Sequence, residues 1–172
     1  MKNNPKLLFF ISVDWFFCSH FLERAISAKD AGYDVVVATN VQKEGHRIEA
    51  NGLRLVPLKI DRRSLNPFVA LQTLLAVMAV YRRERPDLVH HIALKPILLG
   101  TLAARMLGIR NVVNAVVGMG YLATSDKLLV GLLRPVLNRA LRYLLNPPGS
   151  RVIFENNDDL TTFVENKQVR AE

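Results

Sequence analysis

The residues able to do chemistry fall into four short clusters. The first, Asp14-Trp15-Phe16-Phe17-Cys18-Ser19-His20, offers a carboxylate, an indole, a thiol and an imidazole within seven positions. The pattern fixes no catalytic residue. Asp14 and His20 are the candidates, with Asp14 either orienting His20 or capping the helix that follows. Cys18 has no basic neighbour in sequence to hold a thiolate. The second cluster runs from His90-His91 to Lys95-Pro96. Adjacent strand residues point to opposite faces, so the two histidines cannot chelate one metal together, and no metal site is expected. One of them, His91, is the candidate to face a crevice, where a neutral imidazole can bond a sugar hydroxyl. The other is then a core histidine. Lys95 starts a helix, where a cation is disfavoured by the dipole, so an anionic ligand or neighbour is expected beside it. The third cluster is Gly118-Met119-Gly120-Tyr121. Its glycines either let backbone amides approach a phosphate or make a ligand-free turn. Neither a G-x-G-x-x-G fingerprint nor a P-loop is present. The fourth is Glu155-Asn156-Asn157.

The elements that must position these residues alternate along the chain. Apolar strands are predicted over Leu7–Val13, Asp34–Thr39, Leu53–Lys59, Leu88–Ile92, Asn111–Val117 and Arg151–Glu155. Pro57 puts the third near a sheet edge. Helical patterns fill the gaps over Phe16–Ala31, Gln42–Asn51, Pro67–Arg85, Pro96–Leu107, Asp126–Leu145 and Asp158–Glu165. Pro135 must kink the fifth, and Asn157 is the expected N-cap of the last. Six such alternations predict an α/β chain, a single Rossmann-like, doubly wound parallel sheet. Ligands then bind at the carboxyl ends of the strands, where the four clusters lie.

The chain has 172 residues, half of them apolar, a single cysteine and a formal net charge of +8. Its pI is about 10.0 and its mean hydropathy +0.15. One domain, residues 1–172, with a core large enough to need no disulfide, is expected, and a disordered chain is excluded. The charge is uneven: from Leu88 to Val152 there are eight basic residues and one acid, Asp126. Such an excess suits anionic partners. Nucleic acid is not expected, because helix-turn-helix and aromatic-platform patterns are missing. Lys127, Gly131, Arg134, Asn138 and Arg142 form one helical stripe on a leucine-rich segment. The stripe is either a solvated edge or a membrane-contact face made of Lys127, Arg134, Arg139 and Arg142. The uncharged run Ser64–Tyr81 contains too many polar residues for a span and reads as a buried or interfacial helix.

Taken together, these segments resemble bacterial family-4 glycosyltransferases of cell-surface polysaccharide synthesis. The resemblance lies in Asp14–His20 followed by Ala31-Gly32-Tyr33, in Lys95-Pro96 opening a helix to Arg105, in Asn114–Tyr121, and in Phe154–Asp159. It covers nearly the whole chain. It implies half of a GT-B fold: the acceptor-side domain of a retaining, metal-independent enzyme without cofactor, whose second domain grips a nucleotide sugar, commonly a UDP-sugar. The implied acceptor is a polyprenyl-diphosphate-linked saccharide, and the implied location is cytoplasmic, on the inner face of the cell membrane. The implied substrate-binding residues are Asp14, Trp15, His20, His91, Lys95, Gly118, Gly120 and Tyr121. Val117 departs from the histidine that many relatives carry there, and the sequence ends at Glu172, where the family continues into its donor domain. The chain alone is therefore expected to be inactive. A non-catalytic membrane-associated module, or one subunit of a two-chain transferase, is the alternative.

Overall fold

The computed structural model describes residues 4–62, 64, 66–117, 138–145 and 148–169. Among them, six strands form one sheet: β1 (Lys6–Ile11), β2 (Asp34–Thr39), β3 (Arg54–Pro57), β4 (Leu88–Ile92), β5 (Val112–Val116) and β6 (Ser150–Phe154). Every pairing is parallel and the order is β3-β2-β1-β4-β5-β6. The helices are α1 (Asp14–His20), α2 (Leu22–Asp30), α3 (Gly45–Ala50), α4 (Pro67–Glu84), α5 (Leu94–Met106), the helical stretch α6 (138–145) and α7 (Asn157–Glu165).

β1 reads as a continuous apolar run because both its faces are covered. Leu7, Phe9 and Ile11 pack with Phe17, Phe21, Ala25 and Ile48 of the α1–α3 layer. Leu8 and Phe10 pack with Val77, Tyr81 and Ala103 of the α4–α5 layer. A third cluster joins Ile97 to Leu141, Leu145 and Phe163, so α6 and α7 extend the second layer. At the amino edge, buried Glu84 gathers Lys6, Arg54 and Arg83 within 3.4 Å. Burial alone would raise its pKa, but these three cations outweigh that and hold it below the usual glutamate value.

Three predicted elements differ in detail. The single helix over Phe16–Ala31 begins at Asp14 and is broken at Phe21, whose backbone leaves helical geometry (φ −124°, ψ −10°) while its ring goes into the core. The helix over Gln42–Asn51 starts only at Gly45, because the amides of Gln42, Lys43 and Glu44 are turned toward Asp14. The N-cap of α7 is Asn156, not Asn157: Asn156 is extended and its side chain accepts from the Asp159 amide at 2.8 Å.

Candidate functional site

The strand order places the reversal point between β1 and β4, where connections run to opposite sides of the sheet. In a sheet of this order the loops diverge at the carboxyl ends of those strands, and the ligand crevice belongs there. The register aligns Ile11 with both Thr39 and Ile92, so β1, β2 and β4 end at one level. Directly after β4, Ala93 sits at φ 73°, ψ 164°, a region that a Cβ disfavours. It is held there by its own amide donating to Ala115 O and its carbonyl accepting from Ile97 N.

Asp14 opens α1 at this edge but faces inward, fully buried. Its Oδ2 accepts from the amides of Gln42, Lys43 and Glu44 at 2.8–2.9 Å, and its Oδ1 from the amide of Trp15. Burial pushes its pKa up, yet the four amides together pull it below the usual aspartate value. A permanent internal carboxylate thus fills a nest of successive amides that could otherwise take an anion. Asp14 does not orient His20. That residue ends α1, roughly 9 Å along the helix axis from Asp14. Its Nδ1 lies 2.7 Å from Ser19 Oγ and its ring stacks on Phe16 at 4.3 Å.

The β3–α4 loop gathers the residues that do reach the edge. Trp15 is exposed, with the Arg62 guanidinium 5.9 Å from its ring. The Lys95 ammonium donates to Asp61 O and, at 2.7 Å, to Ser64 O. The Asp61 carboxylate also acts on it electrostatically, so the expected anionic neighbour stands beside this pair of carbonyls. Burial lowers the Lys95 pKa, with Asp61 opposing the effect.

Neither adjacent histidine reaches the crevice. His91, expected there, is in the core. Its Nε2 is 2.8 Å from Tyr81 Oη, and its Nδ1 is 2.8 Å from Asn114 Oδ1 and 3.1 Å from Thr101 Oγ1. The register of β4 dictates this, since position 91 pairs with Phe10 on the α4–α5 face. A Cβ on Gly100 would stand 2.6 Å from the His91 ring, so only glycine lets α5 settle there. His90 points to the opposite layer between Phe9 and Phe21, with its Nε2 buried and unpartnered among the described residues. Burial holds the His91 pKa down to about 3 and the His90 pKa down to about 4.

Beside the crevice, a cavity of about 600 Å³ opens between the ends of β2 and β3 and the first half of α4. Asn40, Lys59, Asp61, Gln72 and Thr73 supply its polar wall, and Val69 and Ala76 part of its apolar one. Asn40 and Lys59–Asp61 follow strands directly, so the carboxyl-edge rule alone points to them. Gln72 and Thr73 come from mid-helix and carry no such signal. Gly118, Gly120, Tyr121, Lys127 and Arg134 lie outside the described residues. Arg139 and Arg142 are exposed on α6, whose Leu141, Leu144 and Leu145 turn inward.

A parallel sheet of this order with a carboxyl-edge crevice is shared by many enzymes, and comparison with known proteins narrows the field. The family model described as glycosyl transferase 4-like matches residues 6–156. The chain belongs to that family. No curated protein matches it. Among solved structures, a glycosyltransferase from Rickettsia africae is 13% identical with a TM-score of 0.63, the match covering 98% of this chain and 41% of that one. Sucrose-phosphate synthase from Thermosynechococcus elongatus gives 12%, 0.61, 94% and 45%. UDP-GlcNAc 2-epimerase from Methanocaldococcus jannaschii gives 15%, 0.58, 96% and 45%. At these identities the structures establish a shared fold: this glycosyl transferase 4-like chain has the Rossmann-like architecture of one GT-B half. It spans less than half the length of each of the three.

Proposed function

We propose that the chain is the acceptor-side half of a retaining glycosyltransferase of bacterial cell-surface polysaccharide synthesis. It moves a sugar from a UDP-sugar to a saccharide linked to a polyprenyl diphosphate, at the inner face of the cell membrane. The observation that carries this reading is the reversal of strand order at β1/β4 in a chain whose family match runs from residue 6 to 156. The adjoining cavity supports the acceptor role: amide, carboxylate, hydroxyl and ammonium groups on an apolar floor suit a saccharide.

In this reading the chain contributes position rather than a nucleophile. Trp15 and the loop held by Lys95 form the acceptor wall, and Gly118, Gly120 and Tyr121 border the donor diphosphate. Negative charge develops on the departing diphosphate, so the most effective stabilisers are donors and cations aimed at it. Most of those belong to a donor-binding half outside these residues, on a further domain or a separate subunit. Two walls are needed to hold the reacting groups in line. Lys127, Arg134, Arg139 and Arg142 contact the anionic membrane surface in the same reading.

The test is an incubation of the 172-residue chain with labelled UDP-sugars and polyprenyl-diphosphate saccharides, with and without a polypeptide carrying the donor half. No transfer by the chain alone, and transfer on adding the second polypeptide, is the expected outcome. Turnover by the chain alone overturns the half-enzyme reading, and failure to bind the saccharide overturns the acceptor assignment.

A further inference from the structure

α4 is uncharged through its first fifteen residues, from Pro67 to Tyr81, and among the described residues no helix is long and apolar enough to cross a membrane. Its inward face is settled by burial: Thr73, Val77, Val80, Tyr81 and Glu84 are covered. The outward face is not covered by the described residues. Phe68, Leu71 and Leu75 are 74%, 52% and 56% exposed. Their spacing of three and four residues puts them on one stripe about two turns long. The same face continues to Arg82, flanked by Arg83. It exposes no carboxylate, because the sole acid of α4, Glu84, is buried against Lys6, Arg54 and Arg83, which leaves Arg82 as the cation of the stripe.

We infer that the outer face of α4 is the surface by which this chain lies on an anionic lipid bilayer, with Phe68, Leu71 and Leu75 entering the headgroup–acyl boundary and Arg82 meeting phosphates. Charge complementarity favours lipid: the face is apolar and ends on the cation Arg82, in a chain of net charge +8. A second copy would set Arg82 near its own counterpart without an exposed acid of α4 to receive it. The placement is also apt. The stripe begins next to the β3–α4 loop that Lys95 pins to the crevice edge, so a bilayer under α4 brings a lipid-linked saccharide to the crevice rather than to the far edge of the sheet. The inference rests on the lipid-linked acceptor reading and deepens it, naming α4 where the basic stripe over 127–142 is the other membrane-contact face.

The test is sedimentation of the chain with phosphatidylcholine vesicles with and without phosphatidylglycerol, at low and high salt. A triple variant, Phe68→Ser, Leu71→Ser and Leu75→Ser, is compared with Arg134→Glu/Arg142→Glu. These α4 side chains are exposed, so the triple variant keeps its fold, checked by circular dichroism. The wild type binds anionic vesicles more tightly at low salt, and the triple variant loses roughly tenfold or more of that partitioning. Unchanged binding by the triple variant, with loss in the arginine variant, overturns the α4 assignment and leaves the membrane reading standing. Wild-type binding to neither vesicle overturns both. A wild-type dimer in ultracentrifugation that the triple variant abolishes, without vesicle binding, makes the face a self-association surface and overturns the lipid assignment.

Discussion

At the scale of single residues, the two side chains with the most suggestive chemistry are spent on structure. Asp14 looks like a catalytic acid in sequence, but its oxygens are taken by four backbone amides. Asp14→Ala leaves the loop amides without their acceptor and should cost about 2–4 kcal/mol of folding stability, read from denaturant unfolding. His91 and His90 make a pH prediction. Both have folded-state pKa values depressed by burial, to about 3 and about 4, from 6.5. The unfolded chain therefore binds more protons than the folded one below pH 6.5, and stability rises with pH in that range. Their contribution is complete above about pH 6.5 and is lost as pH falls toward 4, each histidine adding a slope approaching about 1.4 kcal/mol per pH unit. Asp14 and Glu84, whose pKa values are lowered, act in a lower window, below about pH 4.5. Melting temperatures taken from pH 7 to 5 should fall, and His91→Gln should flatten that fall while lowering the plateau. A melting temperature constant from pH 7 to 5 is incompatible with neutral buried imidazoles.

At the scale of elements, most of the sheet was legible because a strand covered on both faces must be apolar throughout, as Leu7–Ile11 and Val35–Ala38 are. Element ends were less legible where a distant side chain decides them. Nothing local to Gln42–Glu44 announces that Asp14 will take their amides and delay α3. The break at Phe21 is similarly a demand of packing against His90 and Phe16 rather than of helix propensity. The fit of α5 against β4 gives a sharper test. Gly100 is mid-helix, where alanine is normally favoured by about 1 kcal/mol. Here the added methyl would meet the His91 ring and Phe10 below 3 Å. Gly100→Ala should therefore destabilise by about 1–3 kcal/mol against its propensity, visible as a lower melting temperature. The α7 cap offers the milder counterpart: Asn156→Ala should cost about 1 kcal/mol, and Asn157→Ala much less.

At the scale of the whole molecule, the sheet edge that carries the candidate site was legible and most of the residues gathered there were not. The order of strands fixes a crevice at β1 and β4, and Trp15 and Lys95 sit at its edge as their place after those strands implies. His91 was misplaced because alternation tells that two adjacent histidines part, not which covered layer each one enters. Register against Phe10 decides that, and register is a tertiary fact. Gln72 and Thr73 reach the cavity only because α4 packs over the ends of β2 and β3. The half-site argument then makes a final prediction about ligands. A ligand that binds only the folded chain stabilises it by RT ln(1 + [L]/Kd), about 2.7 kcal/mol at one hundred times Kd. If the cavity and crevice form the acceptor wall and the donor wall lies elsewhere, a polyprenyl-diphosphate saccharide should raise the melting temperature in a dose-dependent way. The UDP-sugar alone should leave it unmoved at the same concentrations. Changing the cavity through Gln72→Ala should weaken the saccharide-induced shift without moving the unliganded melting temperature, because Gln72 is exposed on α4. A shift induced by the UDP-sugar and not by the saccharide would assign this half of the cleft to the donor instead.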